Sequence, residues 1–126
     1  MIYTSYFENI YRIRDQVPDM TFVSIAGYSP QYFKGLHWKH FAPKKEWWNE
    51  WHNKFHFNLE SPESKAFYKE KYQKTVLDNL DIDLISSDLS KYKEICMMCY
   101  ELPFQFCHRH IVADWLRKFN FFVEEF

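Results

Sequence analysis

The sequence predicts one α/β domain over residues 1–126, with a mostly parallel sheet of three to five strands and helices on both faces. Two apolar runs, at residues 20–26 and 95–99, show no alternation of polar and apolar side chains, which is typical of strands covered on both sides. Segments with helical periodicity lie between and after them, as in βαβ units. The 126 residues are 47% hydrophobic, so one domain can bury its own core.

The residue types and the positions of chain-breaking residues predict where the strands lie. Residues 2–7 are rich in β-branched and aromatic side chains and predict a first strand. Residues 8–19 carry mixed charge and predict a connector or a short helix. The strand at residues 20–26 is ended by Gly27, and a third strand covers residues 94–100.

Capping residues and periodicity predict two helices in the middle of the chain. Pro43 suits the first position of a helix over residues 43–55. Ser61 and Pro62 are an N-cap and a first helical residue for a helix that runs to about Leu80. On the first helix, apolar rings recur at three- and four-residue steps and predict a core face. That face consists of Trp47, Trp48, Trp51 and Phe55.

The last part of the chain predicts a helical turn, a helix and a tail. Residues 81–91 indicate a short helical turn, and residues 107–119 carry the apolar stripe of a helix. Asn120 suits a left-handed C-cap. Residues 121–126 form either a final edge strand or a tail packed on the sheet.

Charge and cysteine count restrict the functional class. A formal net charge of −1 gives no global field that attracts DNA or a membrane. No run of about 18 apolar residues is present, and we expect no signal peptide because the basic and apolar segments are missing. The three cysteines, an odd number, form no disulfide framework. We therefore expect a reduced, cytoplasmic protein that does not contact membranes.

The main candidate site is the triplet Cys107, His108 and Arg109 at the start of the last helix. A helix N-terminus favours negative charge, so we expect Arg109 to bind an anion there. His108 falls within the apolar stripe of its helix and points into the protein, where it either shuttles a proton or only bonds a carbonyl. His110 is expected on the opposite side, facing water.

The neighbourhood of Cys107 predicts a reactive thiol. A helix N-terminus with an adjacent histidine and arginine lowers a thiol pKa, which would make Cys107 a nucleophile, whereas burial acts in the other direction. Cys96 and Cys99 lie in an apolar strand and are interpreted as small core residues. Cys99 is nearest the strand end and is a candidate second thiol near Cys107.

Other polar side chains are expected at the same edge of the sheet, where open α/β sheets bind ligands. Glu101 follows the third strand, where it is either a general acid or base or an ion-pair partner of Arg109. The remaining candidates are expected to orient the ligand. They are Thr4, Ser5, Tyr6 and Tyr100.

The spacing argues against a metal or cofactor. Cys96, Cys99, Cys107 and His110 resemble a zinc quartet in composition, but two ligands in an extended strand cannot curl around one ion. The histidines at positions 37, 40, 52 and 56 lack a tightly spaced cysteine or carboxylate partner. We therefore expect no metal, and no cofactor motif is present.

Residues 34–54 are locally basic and aromatic and give a second functional interpretation. Trp38, Lys39 and Lys44 precede or open the predicted helix. These side chains are candidates for base stacking and backbone-phosphate contacts with single-stranded nucleic acid.

The motifs resemble domain-of-unknown-function family 488 (DUF488). Cys99-Tyr100-Glu101 and the run from Phe106-Cys107-His108-Arg109-His110 to Leu116 carry this resemblance, with Tyr3-Thr4-Ser5-Tyr6-Phe7, Ser24-Ile25 and Ala42-Pro43 in the same order as in the family. The resemblance implies a small bacterial or phage intracellular α/β domain. It implies no particular reaction. Members often carry a lysine after the Cys-Tyr-Glu motif, where this chain has Leu102.

Three interpretations of function follow. The first is a small enzyme that acts on a nucleotide or nucleic-acid base, with Cys107 or Glu101 as the reactive group, His108 as the proton shuttle and Arg109 on a phosphate or other anion. The second is a non-catalytic module for single-stranded nucleic acid that uses residues 34–54. The third is a triplet that only joins helix to sheet.

Overall fold

The computed structural model describes residues 1–126 and contains one five-stranded sheet in which all strands are parallel. The strand order is β3-β2-β4-β1-β5. The predicted α/β fold is therefore confirmed, and the tail forms an edge strand. The strands are β1 (Ile2–Tyr6), β2 (Thr21–Ser24), β3 (Leu36–His37), β4 (Ile95–Cys99) and β5 (Val123–Glu125).

Five α-helices connect and cover the strands. The segment at residues 8–19 contains a helix, and residues 81–91 form a helix of nine residues rather than a single turn. None of the helices combines the length and the apolar character needed to cross a membrane. The helices are α1 (Ile10–Gln16), α2 (Lys45–Phe55), α3 (Pro62–Thr75), α4 (Ile82–Ser90) and α5 (His108–Lys118).

Strand β4 lies at the centre of the sheet, and its side chains alternate between two cores. Ile95 and Met97 belong to the larger core, which α2, α3, α4 and α5 cover. Cys96 and Met98 belong to the smaller core on the other face, against α1. Because side chains alternate along a strand, Cys99 points to the same face as Ile95 and Met97.

Two of the predicted helix caps are present in the structure. The Ser61 hydroxyl accepts a hydrogen bond from the backbone N–H of Ser64 at 3.2 Å, and Asn120 adopts φ 70° after α5, as predicted. Helix α2 begins at Lys45 rather than at Pro43. Pro43 therefore lies before the helix.

The predicted core face of α2 is right for Trp47 and Trp51, which are buried, and wrong for Trp48. Successive helical residues are separated by about 100°, so Trp48 leaves the face that Trp47 and Trp51 share. Trp48 is 36% exposed and stacks on His52, with ring centroids 5.1 Å apart and an interplanar angle of 8°.

Gly35 lies where the chain enters β3 close to β2. A Cβ at this position would clash with the backbone oxygen of Phe22 and would lie 2.5 Å from the ring of Phe33. Only glycine lets the two segments approach this closely.

We predict that Gly35→Ala lowers the free energy of unfolding by about 1–3 kcal/mol, as expected for overpacking against rigid backbone. Gly27→Ala is the matched control, because a Cβ at Gly27 would have no heavy atom within 4 Å and its effect should stay within about 1 kcal/mol. Urea unfolding measures both variants. Equal losses in the two variants would show that the contact with Phe22 is not what requires glycine.

Candidate active site

A cavity of about 560 Å³ opens at the carboxyl ends of β2 and β4, the edge where parallel sheets bind ligands. Four of the polar side chains that line it come from the end of β4 and the start of α5 and are called the cavity floor: Cys99, Glu101, Cys107 and His108. The walls are largely aromatic and come from α2, α3 and the segment between β4 and α5. They include Trp48, Trp51, Tyr68, Tyr100 and Phe106, with the cation of Lys45 among the lining residues.

The floor residues are close enough to exchange protons or to share a ligand. The Cys99 Sγ lies 3.6 Å from His108 Nδ1 and 3.3 Å from Glu101 Oε2, to which the thiol donates. The Cys107 Sγ lies 4.0 Å from the same His108 nitrogen. This cluster can act as a thiol–imidazole pair, or its sulfur and nitrogen atoms can bind a metal ion.

A backbone hydrogen bond fixes the orientation of the His108 ring. His108 Nε2 lies 2.7 Å from the carbonyl oxygen of Ile25. Since a carbonyl only accepts, we assign the ring proton to Nε2. The lone pair of Nδ1 then faces the two sulfur atoms. The two predicted roles of His108, a bond to a carbonyl and a chemical role, are compatible, because they use different ring nitrogens.

Burial controls the ionisation of Cys107. Only 3% of this residue is exposed, and burial together with its hydrogen bond to Cys99 raises the pKa of the Cys107 thiol well above its ordinary value. The helix N-terminus and neighbouring arginine predicted the opposite direction.

Arg109 does not line the cavity. Its fully buried guanidinium forms a bidentate ion pair with Glu125, with Nη2–Oε2 at 2.8 Å and Nε–Oε1 at 3.2 Å. Its Nη1 donates to the backbone carbonyl of Glu101 at 2.6 Å, while the Glu101 carboxylate faces Cys99 instead. Arg109 thus joins α5 to β5 and to the chain after β4, and no anion is needed to satisfy it.

The predicted residues of β1 are also separate from the cavity. Strand β1 lies beyond β4 in the sheet, and neither Thr4, Ser5 nor Tyr6 lines the cavity. The Thr4 hydroxyl donates to Glu125 Oε1 at 2.6 Å, and the Ser5 hydroxyl accepts from the Asn9 side-chain amide at 3.0 Å. These groups support the Arg109 ion pair and the start of α1.

Of the basic and aromatic segment, Lys45 and Trp48 reach the cavity, whereas Trp38, Lys39 and Lys44 do not line it. Trp38 packs partly against the larger core. Lys39 and Lys44 are exposed.

His110 differs from its prediction. Its Nε2 is enclosed without a hydrogen-bond partner, and burial together with the charge of Arg109 lowers the pKa of His110. The prediction that it faces water is right only in part, because the residue is half-buried.

The loop between β4 and α5 is fixed by side-chain carboxylate and amide groups. The Glu60 carboxylate accepts from the Phe106 N–H at 2.9 and 3.2 Å, and the Gln105 side-chain oxygen accepts from the Leu102 N–H at 2.9 Å. The Phe106 ring meets Tyr68 edge-on at 5.1 Å. These contacts hold the cavity wall beside the thiols.

Cys99 lies beside His108 at the cavity, as expected for the candidate second thiol. The sequence does not indicate the contributions of Ile25, Lys45, Trp48 and Tyr68 to the site. For Cys99 a signal was available: it stands four residues after Ile95, so strand alternation places both on one face. For the others the signal lies in tertiary packing.

A protein-family model matches most of the chain. The model is DUF488-N3a, described as the active DUF488-N3 subclade, and it matches residues 16–120. The chain belongs to the DUF488 family. The matched region contains the whole cavity floor. Neither a curated protein nor a solved structure matches this DUF488 chain.

We predict that Glu125→Gln lowers the free energy of unfolding by about 3 kcal/mol, because it leaves the buried Arg109 guanidinium without its counter-charge. Asp114→Asn is the control, since it removes the exposed Arg117–Asp114 pair at 2.8 Å and should cost less than about 1 kcal/mol. Urea unfolding compares the two variants. A loss for Glu125→Gln no larger than that for Asp114→Asn would contradict the structural role of the pair.

We also predict that Cys107 alkylates more slowly than a free model thiol at neutral pH, because burial raises its pKa and limits access. Mass spectrometry after timed iodoacetamide treatment, with a chelator present, resolves the three cysteines. Unfolding in guanidinium should bring all three to the rate of the model thiol. Faster alkylation of Cys107 in the folded protein would restore the thiolate hypothesis.

Proposed function

We propose that this DUF488 protein is a small enzyme that binds a nucleotide or nucleic-acid base in the cavity and acts on it with the groups of the cavity floor. The observation that carries the proposal is the combination of aromatic walls with a floor of two thiols, an imidazole and a carboxylate. The description of the matching family model, which calls its subclade active, agrees with this proposal.

The walls favour a flat, aromatic ligand. Trp48 is the most accessible of the wall tryptophans, and its stacking on His52 presents a broad aromatic surface at the cavity. Trp51 and Tyr68 are held edge to face, with centroids 4.9 Å apart, and the Trp51 indole donates to the Ser64 hydroxyl at 2.9 Å. These two rings are buried and support the wall, whereas the exposed Trp48 is the ring that can stack on a base.

The charge at the cavity fits a phosphate-bearing ligand through Lys45 rather than Arg109. Lys45 lines the cavity at the first turn of α2, whereas the Arg109 guanidinium is bound to Glu125. Lys45 precedes Trp48 by three residues on the same helix, so its cation is available to the phosphate of a nucleotide whose base stacks on Trp48.

The floor supplies the reactive groups. Glu101 is only partly buried and reaches both the cavity and the Cys99 thiol, which suits a general acid or base. His108 presents Nδ1 to both sulfur atoms. Tyr100, half exposed on the loop after β4, is placed to orient the ligand.

A thermal-shift screen of the purified protein tests ligand binding. Nucleosides and nucleoside monophosphates should stabilise it by about 2.7 kcal/mol at a ligand concentration of 100 times Kd, whereas inorganic phosphate alone should not. Trp48→Ala should weaken binding by about 1–3 kcal/mol, the usual value of base stacking. Phe57→Ala is the control, because this ring is 90% exposed and does not line the cavity. The absence of a shift with every nucleoside and nucleotide would refute the proposal.

Turnover of a ligand found in this way tests catalysis. Glu101→Gln should leave the Kd unchanged and abolish conversion, followed by mass spectrometry of the products. Unchanged conversion in Glu101→Gln would remove Glu101 from the reaction.

The non-catalytic alternative depends on residues outside the cavity. If the chain binds single-stranded nucleic acid through residues 34–54, Lys39→Ala should reduce the affinity for an oligonucleotide more than Lys45→Ala. The cavity proposal predicts the reverse order, because only Lys45 of this pair lines the cavity.

A further inference from the structure

The sulfur and nitrogen atoms of the cavity floor have the spacing of a metal site. Tetrahedral zinc with Zn–S bonds of about 2.3 Å and Zn–N bonds of about 2.0 Å separates a sulfur from a nitrogen ligand by about 3.5 Å. Cys99 Sγ and His108 Nδ1 are 3.6 Å apart, and Cys107 Sγ lies 4.0 Å from the same nitrogen. All three atoms lie within 4.8 Å of one another.

We infer that Cys99, Cys107 and His108 bind one thiophilic divalent cation, with Zn²⁺ as the best match, and leave a fourth coordination position open to the cavity. Two thiolates and an imidazole select Zn²⁺ over the oxygen-preferring Mg²⁺ and Ca²⁺. Three protein ligands with an open position are the arrangement of catalytic zinc sites, whereas structural sites supply four.

The surroundings of the three ligands support this assignment. The Ile25 carbonyl holds the proton on His108 Nε2 and so directs the Nδ1 lone pair at the sulfurs, which is the usual second-sphere contact of a metal-bound histidine. The Glu101 carboxylate lies 3.3 Å from Cys99 Sγ and also lines the cavity. It therefore lies between one ligand and the cavity, from where it could accept a hydrogen bond from a water bound to the metal.

The structure also explains why sequence spacing pointed away from zinc. The four residues that resemble a zinc quartet in the sequence include Cys96 and His110. Cys96 belongs to the opposite core, and His108 rather than His110 faces the sulfurs. One ligand from the end of β4 and two from the start of α5 avoid the problem of paired ligands within one strand.

This inference deepens the proposed function, because a metal ion at the floor would polarise a bound ligand or activate water beside it. Metal binding needs no knowledge of the organic ligand. The two proposals therefore fail separately: a protein that binds zinc but no nucleotide keeps the metal site and loses the proposed function.

The test is a titration of reduced, metal-free protein with Zn²⁺ in competition with a chromophoric chelator. We expect one ion per chain. Co²⁺ in place of Zn²⁺ should give the visible absorption of a tetrahedral site and a thiolate-to-metal charge-transfer band. This second measurement on the wild-type protein reports thiolate ligation directly, so the test does not depend on how well a variant folds.

Alanine variants of the three cysteines identify the thiolate ligands. Cys99→Ala and Cys107→Ala should each weaken Zn²⁺ binding by more than about 100-fold, beyond the loss typical of second-sphere changes. Cys96→Ala is the matched control and should bind Zn²⁺ like the wild type. The inference is overturned if the wild type binds no Zn²⁺ against the chelator, if Co²⁺ gives no charge-transfer band, or if Cys96→Ala loses binding as Cys99→Ala does.

Discussion

The hydrogen bond from His108 to the Ile25 carbonyl is the contact on which the candidate site depends. It connects the first residue of α5 to the chain just after β2, across the end of β4. Without it the imidazole would be free to rotate, and Nδ1 would no longer face Cys99 and Cys107. Since a buried carbonyl and a buried imidazole both require a partner, the bond also satisfies two polar groups at once.

A second constraint, the Arg109–Glu125 pair, fixes the helix that carries His108 and follows Cys107. The guanidinium is bound to β5 through Glu125 and to the chain after β4 through the Glu101 carbonyl. The residue that sequence suggested as an anion ligand thus holds three parts of the backbone together. A buried charge is costly unless it is paired, so the start of α5 cannot shift without separating these contacts. The adjacent residues His108 and Arg109 therefore differ in role. His108 lines the cavity, whereas Arg109 connects α5 to β5 and to the chain after β4.

Much of the fold could be read from the sequence because its signals are local. Uninterrupted apolar strands, the Ser61-Pro62 cap and the left-handed Asn120 each depend on a few neighbouring residues. The two-residue strand β3 has no such signal, since Leu36 and His37 are exposed and are defined only by pairing with β2.

The site was predictable in part. His108 and Glu101 line the cavity, and their positions follow from helical periodicity and from the end of a strand. The sequence predicts that Arg109 binds an anionic ligand, because its actual partner, Glu125, lies in β5 and is not indicated by any local pattern. The cavity walls depend on how α2 and α3 pack, so Trp48 and Tyr68 could not be selected among many aromatic residues.

The order of strands in the sheet bears on how the protein folds. The central pair is β1 with β4, in which Ile2 lies opposite Ile95, so most of the chain lies in the loop that this pairing closes. Such long-range pairing slows folding. During synthesis, the first three quarters of the chain lack the partner that completes their sheet. Cys99, Glu101, Cys107 and His108 all belong to the last quarter of the chain, as do the wall residues Tyr100 and Phe106. The cavity therefore cannot be completed before β4 and the start of α5 join the helices that precede them.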